Sequence, residues 1–103
     1  MATVAEIQHI SEQIRKEFSP QKIILFGSHS AGNPDIDSDV DLLVVAAFQG
    51  KPWRFAVEIR ERINAGVPLD LLVRTPEQLQ ERLAKHDMFL TDIVTHGTVL
   101  YEA

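Results

Sequence analysis

The sequence predicts an α/β or α+β domain, in which helices flank a small mixed β-sheet of three or four strands. Three apolar runs rich in Ile, Leu and Val have the length and composition of buried strands. Around them lie segments whose apolar residues recur at helical spacing, which gives the order α-β-loop-β-α-β-α-α-(β). A chain of 103 residues can build one hydrophobic core, so residues 1–103 are predicted to form a single domain.

A helix and a strand are predicted at the N-terminus. Thr3 and Glu6 stand at the spacing of a capping box, and apolar residues then recur at helical spacing as far as Phe18. Residues 4–18 are therefore predicted to form an amphipathic helix. The apolar run at residues 22–26 is the first predicted strand, because it has the length of a strand and a Gly-Ser pair ends it.

A loop, a strand and a helix are predicted next. Residues 28–37 contain glycine, asparagine and proline, which favour turns, so they are predicted to form a loop that can begin with one helical turn. Residues 39–47 form the second apolar run and the second predicted strand. Apolar residues at helical spacing then predict a helix over residues 53–64, which Gly66 stops.

The rest of the chain predicts a strand, two helices and a short final strand. Residues 67–73 form the third apolar run, and the proline near its start is typical of a sheet edge or of the beginning of a strand. Thr75 and the Pro-Glu-Gln that follows it are a helix start, and this helix runs toward Lys85. Asp87 is predicted to cap the last helix, and residues 99–101 are predicted to form a short strand.

The composition limits the classes of function. The net charge of −5 and the pI near 5.2 argue against a protein that grips nucleic acid by electrostatics alone. The absence of cysteine excludes disulfides and thiolate metal sites. No apolar stretch approaches the length that spans a membrane, and the first residues lack the pattern of a secretory signal. We therefore expect a cytoplasmic protein that contacts neither nucleic acid nor membrane.

Three aspartates interrupt the apolar runs, with Asp39 and Asp41 in the second run and Asp70 in the third. Residues at i and i+2 of a strand point to the same face, so Asp39 and Asp41 place two like charges close together. Their repulsion is costly unless a cation lies between them. If the second and third strands are neighbours, Asp70 joins the pair, and three carboxylates suit a hard cation such as Mg²⁺ or Mn²⁺.

Gly27 and Ser28 add a place for phosphate. Glycine lets a phosphate approach the backbone closely, and the following N–H groups and the serine hydroxyl can donate to its oxygens. Because Mg²⁺ is usually completed by waters and substrate phosphates, the predicted substrate is a nucleotide or another phosphate ester. The predicted chemistry is a phosphoryl-type transfer with two metal ions, in which Asp70 helps to take the proton of the attacking hydroxyl.

These motifs resemble those of the DNA polymerase beta-like nucleotidyltransferase superfamily. Phe26-Gly27-Ser28, ten intervening residues and Asp39-Val40-Asp41-Leu42 match its Gly-Ser…Asp-x-Asp signature, and Leu69-Asp70-Leu71 resembles its third-carboxylate strand. The resemblance covers roughly residues 5–102. It implies a Mg²⁺-dependent transfer of a nucleoside monophosphate, with Asp39 and Asp41 binding both metal ions, Asp70 binding one, and Gly27 and Ser28 holding the nucleotide.

The chain looks like a minimal nucleotidyltransferase. Proteins of this type commonly act as the antitoxin beside an all-helical HEPN-domain ribonuclease toxin, which implies transfer of AMP from ATP to a tyrosine hydroxyl of that toxin. Another nucleoside triphosphate, which would transfer its own monophosphate, stays open as the substrate. The loop departs from the family pattern, because Ala31 stands where many such proteins carry an arginine. A second hypothesis is therefore a module that neutralises or scaffolds its partner by binding alone. A third is a subunit of a small-molecule (antibiotic) nucleotidyltransferase, and an oligomer is compatible with all three.

Structural interpretations of single residues stand beside the functional ones. Asp70 can pair with an arginine such as Arg74. His29 is predicted to be a loop residue rather than a ligand, although it is the histidine nearest to the Gly-Ser motif. Trp53 and Phe55 are predicted to lie in the core or on a surface that contacts a partner.

Overall fold

The computed structural model describes residues 2–32 and 39–103. Within these residues, five helices and four strands follow one another: α1 (Val4–Phe18), β1 (Lys22–Phe26), α2 (Ser28–Ala31), β2 (Val40–Val45), α3 (Pro52–Arg62), β3 (Leu69–Arg74), α4 (Pro76–Ala84), α5 (Met88–His96) and β4 (Thr98–Glu102). Every helix and strand predicted from the sequence is present in this order.

The side chains that precede the helices explain where the helices begin. Thr3 Oγ1 accepts a hydrogen bond from the N–H of Glu6 at 3.1 Å, and the Glu6 carboxylate accepts one from the N–H of Thr3 at 2.9 Å. The same reciprocal pair of bonds joins Thr75 and Gln78 at the start of α4. Asp87 caps α5 in the predicted way. These bonds satisfy N–H groups that have no partner inside the helix, so the predicted helix starts are confirmed.

Three predicted strands have different boundaries in the structure. The last, predicted over residues 99–101, is β4, which is one residue longer at each end. The second, predicted over residues 39–47, is β2, and Asp39 precedes it instead of lying in it. The third, predicted over residues 67–73, is β3, which begins two residues later. Pro68 has no N–H to donate and contributes only its carbonyl oxygen, which accepts a hydrogen bond from the N–H of Val40 at 3.0 Å.

The predicted loop and the predicted third helix also differ in detail. The loop over residues 28–37 begins with the short helix α2, and its residues 33–37 lie outside the described part of the chain. The helix predicted over residues 53–64 begins one residue earlier, because the proline at its first position is compatible with a helix N-terminus. It ends at Arg62, since Ile63 already has extended backbone geometry.

The four strands form one mixed sheet in the order β3-β2-β1-β4. β1 pairs antiparallel with β2 on one side and with β4 on the other, whereas β2 pairs parallel with β3. The parallel pair is joined by α3, as a connection between parallel strands requires. The chain therefore has the predicted fold class, a small mixed sheet flanked by helices.

Each face of the sheet has its own hydrophobic core. The alternate β2 residues Val40, Leu42 and Val44 are fully buried on the face that α1 and α3 cover. Leu43 and Val45 point to the opposite face and are buried under α4 and α5. Because side chains alternate along a strand, the same strand builds both cores.

The two aromatic residues singled out on α3 have different environments. The ring of Phe55 is buried, stacks on Phe48 with ring centroids 4.6 Å apart and meets Phe18 edge to face at 5.5 Å. Trp53 is 62% exposed, and its ring lies 5.5 Å from the guanidinium of Arg54. Phe55 therefore belongs to the core, while Trp53 belongs to the surface. None of the helices in the described ranges is long and apolar enough to cross a membrane.

Candidate active site at the end of β1

The sheet brings two of the predicted site residues side by side. Asp41 lies opposite Phe26 in the antiparallel pair of β1 and β2, and it lies opposite Asp70 in the parallel pair of β2 and β3. Neighbouring strands are about 4.8 Å apart, and residues in register point to the same face. The carboxylates of Asp41 and Asp70 therefore share the face that α4 and α5 cover, at the end of the sheet where β1 stops.

Asp39 lies just before β2 and is exposed, whereas Asp41 is half-buried. Burial raises the pKa of the Asp41 carboxyl, and the charges of Asp70 and then Asp39 raise it further, while His29 opposes them. The negative charges of Asp70 and Asp39 thus both act on the Asp41 carboxyl. A cation beside Asp41 would relieve this repulsion.

Gly27 is the residue that joins the Gly-Ser motif to these carboxylates. Its φ of 75° and ψ of −156° belong to a region that essentially only glycine adopts. A Cβ atom at this position would overlap Oδ2 of Asp41 and lie 3.2 Å from its Cγ. Glycine is therefore required at position 27 for two reasons: the backbone turn after β1 and the close approach of the Asp41 side chain.

A cavity of about 490 Å³ adjoins Gly27 and Ser28 on the same face of the sheet. Its walls come from the end of β1, from α2 and from α5: Phe26, Gly27, Ser28, Ser30, Ala31, Phe89, Asp92, Ile93, His96 and Gly97. A volume of this order is typical of small-ligand sites. A larger cavity of about 820 Å³ lies between α1 and β4, but its described walls include none of the three aspartates. The smaller cavity is therefore the one associated with the candidate site.

His29 connects three parts of the chain around the site. Its Nδ1 lies 3.0 Å from the backbone oxygen of Asp39, and its Nε2 accepts a hydrogen bond from the N–H of Ala2 at 3.4 Å. Since a backbone oxygen can only accept, this pairing assigns the proton of the ring to Nδ1. In the sequence, the only signal for this role is the position of His29 next to the Gly-Ser motif, because its two partners are 10 and 27 residues away.

Asp70 and Arg74 do not pair with each other within the chain. They are four residues apart along an extended strand, which separates them by about 13 Å. The guanidinium of Arg74 donates instead to the carbonyl oxygen of Val73 at 2.6 Å. Asp70 is exposed and stays available on the site face.

The donor set fits Mg²⁺. Within residues 2–32 and 39–103, no three His, Asp or Glu side chains lie close enough together to form a cage that could hold a metal ion. Mg²⁺ does not require such a cage, because it is commonly held by one or two carboxylates together with waters and substrate phosphates. Two carboxylates in register, a third just before the strand, and a glycine that leaves room beside Asp41 meet that requirement.

The comparisons with known proteins agree with this geometry. The family model described as "Polymerase beta, Nucleotidyltransferase" matches residues 8–103. The chain belongs to this nucleotidyltransferase family. A solved structure described as "Crystal structure of the toxin-antitoxin with AMP-PNP" is similar over 97% of this chain and 75% of that chain, with 26% sequence identity and a TM-score of 0.63. No curated protein matches the sequence.

Proposed function

We propose that this protein is a Mg²⁺-dependent nucleotidyltransferase that transfers AMP from ATP to a tyrosine hydroxyl of a partner protein. The observation that carries the proposal is the register of Asp41 with Asp70, directly beside Gly27. Membership of the polymerase beta nucleotidyltransferase family supports the reaction class. The similar solved structure is a toxin-antitoxin with AMP-PNP, which supports a nucleotide substrate and a protein partner.

The role that we propose for each site residue follows from its position in the fold. Asp39 and Asp41 would hold two metal ions, and Asp70 would contribute to holding one of them. Gly27 and Ser28 receive the triphosphate, because the backbone N–H groups after Gly27 and the Ser28 hydroxyl can donate to phosphate oxygens. The bound Mg²⁺ would supply charge neutralisation for the attacking oxygen and for the leaving pyrophosphate.

The transfer itself is a substitution at the α-phosphorus of ATP. The tyrosine oxygen forms a bond to this phosphorus, the bond to the bridging oxygen of the β-phosphate breaks, and pyrophosphate leaves. Asp70 is the carboxylate placed to accept the tyrosine proton, because it is exposed at the outer strand of the pair. Asp41 is half-buried and packed against the glycine turn, so it serves to position the metal ions.

The proposed biological role is that of an antitoxin. The partner would be an all-helical HEPN-domain toxin, silenced when one of its tyrosines is modified. The cavity beside Gly27 has room for one small ligand, so the acceptor hydroxyl is expected to come from a separate molecule that approaches Asp70 from solvent.

A labelling experiment tests the proposal. The protein is incubated with Mg²⁺, ATP labelled in the adenosine, and a helical toxin protein encoded beside it. We expect label on the toxin with the wild-type protein and a loss of about 1000-fold or more with Asp41→Asn, because this change removes a metal-binding oxygen. Glu61→Gln, which neutralises an exposed carboxylate on α3, is the matched control and should label normally. Equal labelling by wild type and Asp41→Asn would overturn the proposed chemistry.

Ala31 favours a second candidate function. It lines the cavity beside Ser28 and supplies no cation for a triphosphate. A protein without catalysis would then neutralise its partner by binding alone. This candidate predicts that the complex with the toxin survives the double change Asp39→Ala and Asp41→Ala, and that calorimetry detects no binding of Mg²⁺ and ATP to the wild-type protein. Measurable nucleotide binding that the double change abolishes would exclude it.

A further inference from the structure

β3 forms an edge of the sheet in the part of the chain that the structure describes, since its one neighbour there is β2. Its sequence is Leu-Asp-Leu-Leu-Val-Arg, with no lysine, internal proline or bulge. Native proteins usually protect the edges of sheets with such features, because an apolar strand with unpaired backbone groups is a template for another strand. The β3 edge lacks these three features, and its two charged residues, Asp70 and Arg74, have opposite signs. The edge is therefore suited to pairing with a strand of complementary charge.

The backbone of β3 presents alternate residues to this free edge. The carbonyl oxygens of Pro68 and Arg74 accept hydrogen bonds from β2, at 3.0 and 3.1 Å. Because hydrogen-bonding direction alternates along a strand, the even-numbered residues face β2 and the odd-numbered residues face outward. Leu71 and Val73 therefore direct their N–H and C=O groups away from the sheet. The side chain of Arg74 donates to the outward oxygen of Val73, which agrees with this assignment.

The strand is complementary in charge to a second copy of itself. In an antiparallel pair centred on Leu72, Asp70 of each copy lies opposite Arg74 of the other copy. Leu71 then lies opposite Val73, and these two outward-facing residues form the hydrogen-bonded pair. A centre at Leu71 or at Val73 would instead place one of the charged residues opposite Leu72. The centre at Leu72 is therefore the register that pairs both charges.

Apolar surface continues from the β3 edge onto α3. Trp53 is 62% exposed and Val57 is 43% exposed, on a helix that packs beside β3. A groove of about 360 Å³ joins Trp53 to the strand residues Leu71 and Leu72. Tryptophan is enriched at protein interfaces, and exposed apolar surface of this kind favours a protein contact.

We propose that two copies of this chain pair through β3 as antiparallel strands about a two-fold axis at Leu72. The pair forms one continuous sheet of eight strands, with reciprocal ion pairs between Asp70 and Arg74. Two-fold symmetry makes every contact occur twice, which suits a self-complementary strand. This inference goes beyond the proposed catalysis, and the pairing can be measured without metal or nucleotide. The two proposals use the same Asp70 carboxylate, so the ion pair with Arg74 competes with the catalytic role proposed for Asp70.

Cysteine crosslinking tests the register. The chain has no cysteine, so a single Leu72→Cys change gives one thiol per copy. At the axis, residue 72 faces itself in a non-hydrogen-bonded pair, where Cα atoms are about 4.5 Å apart and within the range of a disulfide. Under mild oxidation we expect Leu72→Cys to crosslink about tenfold or more faster than Val99→Cys, an exposed position on the other edge strand, β4. Equal rates for the two variants would overturn the proposed interface.

A charge swap tests the ion pairs in the cysteine-free protein. We expect wild-type protein to be dimeric by sedimentation velocity, and Asp70→Arg or Arg74→Asp to weaken dimerisation about tenfold, because each places like charges opposite one another. Combining both changes restores opposite charges and should restore the dimer, which also controls for effects on folding. Lys16→Asp, an exposed charge reversal on α1, should leave the dimer intact.

Two results would contradict the proposal. One is a wild-type protein that dimerises equally well with either single charge reversal. The other is a wild-type protein that stays monomeric at its highest soluble concentration while the single reversals abolish binding of the helical toxin. The second result would assign the β3 edge to that partner protein.

Discussion

The two faces of the sheet use the same strands for different purposes. On the face covered by α1 and α3, Val40, Leu42 and Val44 of β2 are fully buried in a continuous apolar core. On the face covered by α4 and α5, the same strand begins with the half-buried carboxylate of Asp41. On the second face, a carboxylate therefore takes the place of an apolar side chain at the end of the sheet where the candidate site lies.

Within β2, the residues that stabilise the fold and the residue that belongs to the candidate site therefore lie on opposite faces. Removing a buried carboxylate from water without a fixed partner is unfavourable, and the raised pKa of Asp41 reports that cost. The described β2 side chains on the first face are all apolar and buried, and we expect them to contribute to folding alone. Substitutions on the two faces should therefore have opposite consequences for stability and activity.

The largest expected change in stability is on the apolar face. Leu42→Ala removes a side chain that is 0% exposed, and we expect the free energy of unfolding to fall by about 2–5 kcal/mol. Denaturation in urea measures it. The nucleotidyl transfer rate per folded molecule should remain near that of the wild type, because Leu42 points away from the site. A marked fall in the transfer rate per folded molecule would contradict the idea that this face contributes only to stability.

Gly27 lies in the turn between β1 and α2. Gly27→Ala should lower the free energy of unfolding by about 1–3 kcal/mol, because alanine is strained at this backbone geometry and its Cβ would overlap the Asp41 carboxylate. The matched control is Gly32→Ala. Gly32 also has a positive φ, of 80°, with a ψ of 14° in the left-handed helical region, and no atom of the described residues lies within 4 Å of an added Cβ. The excess loss in Gly27→Ala therefore measures the contact with Asp41 together with the stricter backbone geometry of Gly27. Equal losses would show that this contact is unimportant.

Whether a feature of the fold or of the candidate site can be predicted from the sequence depends on how far apart in the chain the interacting residues are. Helix starts such as those at Thr3 and Thr75 are set by side chains three residues away, and the sequence predicts them well. The aspartates were also found from the sequence, because each interrupts an apolar run. The pairing of Asp41 with Asp70 required the order of the strands, which depends on contacts between distant segments. For the same reason, the sequence did not predict that His29 binds the backbone of Asp39 or that Asp39 lies outside β2.

A smaller effect is expected from the link between the site and the N-terminus. His29→Ala removes the hydrogen bonds to Asp39 and Ala2, and we expect a loss of about 1 kcal/mol in urea denaturation. His9→Ala serves as the control, because His9 is exposed on α1. If both variants unfold at the same urea concentration as the wild type, the two bonds contribute nothing to stability.

The smallest expected effect is a dependence of stability on pH that arises from Asp41. The pKa of Asp41 is raised in the folded state, so the folded protein binds this proton more tightly than the unfolded chain. Its contribution to stability is therefore greatest below the ordinary aspartate pKa and is lost as the pH rises through the raised pKa. In metal-free buffer, the stability of Asp41→Asn relative to wild type should increase over the same interval. Urea denaturation at a series of pH values measures it, and a constant difference would refute it.

We propose that the carboxylates of Asp39, Asp41 and Asp70 hold Mg²⁺ and, through it, a nucleotide. Thermal denaturation with Mg²⁺ and a non-hydrolysable ATP analogue tests it directly, with Asp41→Asn as the comparison. At 100 times its Kd, a ligand that binds only the folded state stabilises it by about 2.7 kcal/mol, so the Tm of the wild-type protein should rise by several degrees. The variant should show no such rise. An equal rise in both proteins, or no rise in the wild type, would contradict the account.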